Sequence, residues 1–162
     1  MSPDNEQQPN TGATNVTLAD DDKDDQLLFK EAVKEGDINA EVTVANDGNE
    51  LMQNLKDPAQ PNPDIIFLDI NMPGKDGKEC LKEIKEDENL KDIPTVMLTT
   101  SVNNKDIEET YGAGANLYVP KPSSFRVFVN LLKKIFRMHW SHVLMRPFRK
   151  NFVLSEKDVA RD

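Results

Sequence analysis

Ile65-Ile66-Phe67-Leu68-Asp69-Ile70-Asn71-Met72-Pro73-Gly74-Lys75-Asp76-Gly77 is the stretch that decides the fold. Its first four residues are a short, wholly apolar run, as in a strand buried on both faces. Pro73 and Gly74 forbid its continuation and force a loop. A carboxylate at the tip of a buried strand is costly unless something binds it. In an open α/β sheet, ligands sit at the carboxyl ends of the strands. Asp69 is therefore a candidate site residue.

On either side, strand-like and helix-like segments alternate. Val16 to Ala19 reads as a short strand ending in Asp20, Asp21 and Asp22. An amphipathic helix over 24–35 follows, with apolar positions Leu27, Leu28, Ala32 and Val33, and Gly36 stops it. Ala40 to Ala45 alternates as a strand, and Asn46-Asp47-Gly48 turns into a helix over about 49–56. Pro58 to Pro63 links to the Asp69 strand. Beyond Gly77 a helix over 78–86 places Cys80, Leu81 and Ile84 on one side. Thr95 to Thr99 is a buried strand introduced by Pro94, and 103–111 a short helix closed by Gly112, Ala113 and Gly114. Leu117-Tyr118-Val119 is the fifth strand. A long helix over 123–139 carries the stripe Phe125, Phe128, Leu132, Ile135 and Phe136. Five such alternations predict an α/β fold, a doubly wound five-stranded parallel sheet with helices on both faces.

Residues 1–14 hold almost nothing apolar and read as a disordered leader, leaving a domain over 15–140. The extension 141–162 is too apolar for a free tail. With Trp140 at the boundary it carries Val143, Leu144, Phe148, Phe152, Val153 and Leu154, and is expected to fold back or form a dimer.

The chain has 162 residues, 37% of them apolar and 30% charged, which fits a soluble globular protein. No apolar run approaches the roughly 18 residues of a membrane span, and no signal peptide is visible. Cys80 is the single cysteine, so an internal disulfide is impossible and a reducing cytoplasm is the expected home. The net charge of −9 is unevenly spread. Residues 1–109 hold 26 acids against 10 bases, whereas 110–155 hold 8 bases and no acid. Overall acidity argues against general nucleic-acid binding. The basic third reads as a solvated helix face and tail, or as a patch for an acidic partner or a second copy.

Each predicted strand ends in something chemically useful: Asp20, Asp21 and Asp22, then Asp69, Thr99 and, after Pro120, Lys121. In a parallel sheet these ends share one edge. Taken singly, the first three are ordinary helix N-cap and first-turn acids, Lys121 a surface lysine and Thr99 a strand residue. Together they suit Mg²⁺, since crowded carboxylates need a cation and hard oxygens favour this one. Neither His nor Cys converges there, so zinc is not expected.

In this order the motifs resemble the response-regulator receiver domain of two-component signalling. The resemblance rests on Asp20-Asp21-Asp22, Leu68 to Gly77, Thr99 and Tyr118-Val119-Pro120-Lys121-Pro122. Ala45 to Gly48 and Gly112 to Ala115 are familiar connectors. It implies a flavodoxin-like (βα)5 fold with strand order 2-1-3-4-5. The acidic start and the extension are similar to stand-alone receivers related to phytochrome response regulators.

The resemblance further implies that Asp69 accepts a phosphoryl group from a histidine kinase, phytochrome-like by subgroup. Asp21, Asp69 and the Asn71 backbone carbonyl would ligate Mg²⁺, with Asp20 acting through water. Lys121 and Thr99 would each take a phosphoryl oxygen, and Tyr118 would turn inward as Thr99 moves. Asp22 falls one position past the usual pair. Asn71 and Ser101 occupy positions that tune phosphoryl loss. The fourth helix, fifth strand and fifth helix would be the responding surface and a candidate dimer face. The expected product is a phosphoacceptor with self-catalysed chemistry rather than an enzyme.

The alternative within the family is a phosphorelay shuttle handing the group to a phosphotransfer protein. A haloacid-dehalogenase-type phosphatase needs a second Asp two residues on, where this chain has Asn71. A nucleic-acid module on the basic third lacks a motif. No output domain fits in the extension.

Overall fold

The computed structural model describes residues 12–138 and 147–159. Strands β1 (Thr14–Ala19), β2 (Ala40–Ala45), β3 (Ile65–Leu68), β4 (Thr95–Thr99) and β5 (Leu117–Pro120) alternate with five helices. These are α1 (Lys23–Glu35), α2 (Gly48–Lys56), α3 (Gly77–Glu86), α4 (Asn104–Gly112) and α5 (Phe125–Phe136). The strands pair in parallel in the order β2-β1-β3-β4-β5, the predicted flavodoxin-like sheet.

The pleat divides the apolar run of β3 between two cores. Ile65 and Phe67 join Val16, Leu18 and Leu98 beneath α1 and α5, where Phe29 meets Phe67 edge-on at 5.0 Å. Ile66 and Leu68 point the other way, into Leu51, Leu55, Leu81, Ile84 and Ile107 from α2, α3 and α4. Helix starts follow from local chemistry. Asp22, Asp47, Asp76, Asn103 and Ser124 each cap a helix, accepting a backbone N–H from its first turn.

Several elements depart from the sequence expectation. β1 begins at Thr14, which pairs with Ala40 and so belongs to the sheet rather than to the leader. Residues 1–11 of that leader lie outside the described residues. On α1 the inward stripe is Gln26, Phe29, Ala32 and Val33, whereas Leu27 and Leu28 are 56% and 42% exposed. Helical spacing from Phe29 places Gln26 inside, and its amide is satisfied there by the Asp20 carbonyl at 2.6 Å. α5 ends at Phe136 with Arg137 as its cap, and Phe125 in its first turn is half-exposed.

The chain returns to the sheet at its far end. Val153 bridges Tyr118 in parallel: the Tyr118 amide donates to the Phe152 carbonyl and the Leu154 amide to the Tyr118 carbonyl, both at 2.9 Å. This covers the outer edge of β5, whose unpaired groups would otherwise face solvent or another strand. Phe152 and Leu154 are buried in the two different cores. The Arg149 guanidinium grips both carboxylate oxygens of Glu108 on α4, and the Tyr111 hydroxyl donates to the Pro147 carbonyl. Phe148, expected to bury, is instead 75% exposed. Trp140, Val143 and Leu144 lie outside the described residues.

Candidate functional site at the carboxyl edge of the sheet

Backbone hydrogen bonds lock the strand ends side by side. The Asp20 amide donates to Ala45 at 3.1 Å, the Asp69 amide to Ala19 at 3.0 Å and the Lys121 amide to Thr99 at 2.8 Å. The four predicted strand-end positions are thereby brought to one edge. α3 starts almost on top of Asp69. A Cβ added to Gly77 would stand 2.0 Å from the Asp69 carbonyl oxygen, so only glycine fits there.

Lys121 is the hub. Its ammonium donates to Asp20 Oδ2 at 2.7 Å, Asp25 Oδ2 at 2.8 Å and Asp69 Oδ2 at 3.0 Å. Asp20 and Asp69 are buried and Asp21 is exposed. Asp20 Oδ1 accepts the Asp22 amide at 2.9 Å, and Asp69 Oδ1 accepts the Asn71 amide at 3.3 Å. Burial pushes the Asp20 carboxyl above its ordinary range, and the hydrogen bonds from Lys121 and the Asp22 amide only partly offset this. Burial also works against the Lys121 charge, but its bonds to Asp20 and Asp25 and the field of Asp69 prevail and hold its pKa above the usual lysine value. The ammonium is therefore the fixed charge of the site.

Three carboxylates about one ammonium leave a negative excess, which Asp21 increases. Asp20, Asp21 and Asp69 present oxygens within 4.8 Å of one another. Clustered hard oxygens carrying surplus negative charge fit a divalent cation. Beside them opens a cleft of about 530 Å³, lined by Asp21, Asn71, Met72, Asp76, Lys78 and Asp106 among others.

Thr99 is fully buried at the tip of β4, its hydroxyl oxygen facing the Ser101 amide at 3.4 Å. Tyr118 is set back in the core, with its hydroxyl donating to the Ser101 carbonyl at 2.9 Å. The Ser101 hydroxyl donates to Asp106 at 2.5 Å, and Asp106 in turn pairs with Lys78 in the cleft. A continuous polar chain thus runs from the cleft to Tyr118.

The structure separates two further acids from the oxygen cluster. Asp22 caps α1 and accepts the Asp24 and Asp25 amides, so it stands apart from the metal-ligand candidates. Asp25, which sequence reasoning passed over, reaches the central lysine. The one available signal was its spacing, one helical turn after Asp21. Cys80 is buried against the Gly48 carbonyl, and burial pushes its thiol up to about 12, so it offers no nucleophile.

The response regulator receiver domain family profile matches residues 16–133. The response regulator Rcp1 of Synechocystis sp. (strain ATCC 27184 / PCC 6803 / Kazusa) is 37% identical over 82% of this chain and 92% of its own length. The phosphorylated cyanobacterial phytochrome response regulator RcpA superposes with a TM-score of 0.73 at 36% identity, covering 84% of this chain and 99% of that one. The Mn²⁺-bound form of Rcp1 gives a TM-score of 0.65 at 34% identity over 83% and 99%. With this fold and these strand-end residues, the chain belongs to the response-regulator receiver domain family of two-component signalling.

Proposed function

We propose that this receiver takes a phosphoryl group on Asp69 from the phospho-imidazole of a histidine kinase and changes its protein contacts as a result. The observation that carries the reading is the Lys121 ammonium held between Asp20 and Asp69 beside an open cleft. A carboxylate is a competent nucleophile toward phosphorus. In the step, one Asp69 carboxylate oxygen bonds to phosphorus as the phosphorus–nitrogen bond breaks. The bonding pair leaves with the imidazole, and Asp69 becomes an acyl phosphate.

Phosphoryl transfer depends chiefly on positioning and on stabilising charge at the phosphoryl oxygens. Lys121 supplies a charged donor already aimed at Asp69, and the Thr99 hydroxyl a second donor at the neighbouring strand end. Asp21, Asp69 and the Asn71 carbonyl, with Asp20 through water, are the groups proposed to hold Mg²⁺. When bound, that ion neutralises the carboxylate excess and the incoming phosphoryl charge.

The new charge, close to two units, biases the surrounding loops. Movement of Thr99 would release Ser101, and with it the Tyr118 hydroxyl and the N-terminus of α4. The responding face would be α4, β5 and α5, together with the C-terminal segment lying against β5. The same face is the one proposed to meet a second copy of the chain. The receiver is a phosphoacceptor in this scheme, acting through contacts rather than by turnover of a substrate.

Intact-mass spectrometry after incubation with acetyl phosphate tests the reading. One Mg²⁺-dependent phosphoryl adduct is expected, and none in Asp69→Asn. An adduct that persists in the variant would contradict the assignment.

A further inference from the structure

An ammonium group has three hydrogens, and at Lys121 each has a carboxylate: Asp20 at 2.7 Å, Asp25 at 2.8 Å and Asp69 at 3.0 Å. Two of these partners have other work in the reaction proposed above, on which this inference rests. Asp69 gives up a free carboxylate oxygen on forming the acyl phosphate, and Asp20 belongs to the oxygen cluster suited to the metal ion. Asp25 belongs to neither group. It is absent from the oxygen cluster.

Asp25 borders a small crevice at the lysine. There it stands with Asp20, Lys121, Leu18, Leu28 and Phe128, between α1 and the β5–α5 connection. Its backbone is fixed in the first turn of α1, where its amide donates to the Asp22 cap at 3.1 Å. The carboxylate therefore reaches the ammonium from α1, whereas Asp20 and Asp69 reach it from the strand ends.

We propose that Asp25 is a positioning residue, holding the Lys121 ammonium from the α1 side so that it stays on target while Asp20 and Asp69 change partners. Lysine is a point charge on a flexible four-carbon stem, so its placement needs an anchor that the reaction leaves untouched. The competing account makes Asp25 an ordinary first-turn acid that favours the helix dipole and meets the lysine incidentally.

The test compares full-length wild type with Asp25→Ala and Asp25→Asn. Asn keeps an oxygen acceptor in place while removing the charge. At saturating Mg²⁺ with acetyl phosphate, Asp25→Ala should phosphorylate about tenfold more slowly, since a small misplacement of a reacting group has effects of this order or larger. Asp25→Asn should fall between the two, and the Mg²⁺ half-saturation point should be the same in all three. The ¹⁵N signal of the Lys121 ammonium should be sharp in wild type and lost to exchange in Asp25→Ala.

Equal rates in wild type and Asp25→Ala would overturn the proposal. So would faster rates in both variants, because charge repulsion of the donor would then be the main effect. An equal loss in both variants that tracks a fall in Tm would reduce Asp25 to a helix-stabilising acid. If wild type itself takes no phosphoryl group, the receiver chemistry fails, and the ammonium signal alone decides whether Asp25 anchors the lysine.

Discussion

Phe152 and Tyr118 form one structural unit: the Phe152 carbonyl accepts the Tyr118 amide at 2.9 Å, and the two rings lie 6.0 Å apart. Tyr111 on α4 meets the same phenyl ring edge-on at 5.0 Å. The residue proposed to respond to phosphorylation is thus packed against a segment from the end of the chain. Phe152 is fully buried, so Phe152→Ala should cost about 3–5 kcal/mol of stability. Urea denaturation with fluorescence detection checks this. A cost below about 0.5 kcal/mol, the range of ordinary surface changes, would mean that the segment does not belong to the core.

The carboxylate excess around Lys121 predicts stabilisation by metal. At Mg²⁺ about 100-fold above its Kd, the stability gain should be about 2.7 kcal/mol. Asp21 is exposed, so Asp21→Asn should fold normally while losing most of that gain. Thermal melts with Mg²⁺ and with EDTA measure both effects. An unchanged gain in the variant would remove Asp21 from the site.

The contact between α3 and Asp69 predicts that Gly77→Ala damages stability and chemistry together. The added methyl would stand 2.0 Å from the Asp69 carbonyl, so the backbone carrying the proposed phosphoacceptor must move. A cost of about 1–3 kcal/mol is expected, the usual range for overpacking. The rate of adduct formation should fall as well, because Asp69 and Lys121 lose their alignment. Chemical denaturation and intact-mass time courses report the two separately.

Asp106 gives a pH dependence with a definite sign. Hydrogen bonds from Lys78 and from the Ser101 hydroxyl hold its carboxyl below the ordinary aspartate value of 3.8. The folded state therefore binds this proton more weakly than the unfolded state. The stabilisation is fully present above pH 3.8 and is lost as pH falls through the lower, folded value. Asp106→Asn should remove that contribution, giving a shallower fall in Tm on acidification below pH 4. Parallel acid limbs for wild type and variant would contradict the assignment.

Much of this architecture is legible in the sequence because burial leaves a plain mark. Ile65 to Leu68, short and wholly apolar, reads as a strand covered on both faces, and the breakers after Asp69 place the carboxylate at its tip. Asp20, Asp21 and Lys121 are legible as strand-end residues, since a parallel sheet must bring those ends to one edge. Asp25 is not, because a first-turn acid satisfies the helix dipole without any tertiary partner. Its bond to Lys121 depends on how α1 is rotated over the sheet.

That rotation also decides which face of α1 is buried. Leu27 and Leu28 are more apolar than Gln26, yet the phase set by Phe29, Ala32 and Val33 turns Gln26 inward. A buried amide is tolerated there because the Asp20 carbonyl and the Asn46 side chain accept from it. The apolar character of Phe152 is visible in the sequence, but its pairing with Tyr118 is a contact between segments distant along the chain. No local pattern encodes that register.

The most direct test of the central claim is to locate the phosphoryl group chemically. The protein would be phosphorylated with acetyl phosphate and Mg²⁺, reduced with borohydride to convert the aspartyl phosphate to homoserine, and mapped by peptide mass spectrometry. The account predicts homoserine at position 69 alone. Reduction at Asp20 or Asp21, or no reduced residue in a sample that carries the intact-mass adduct, would contradict it.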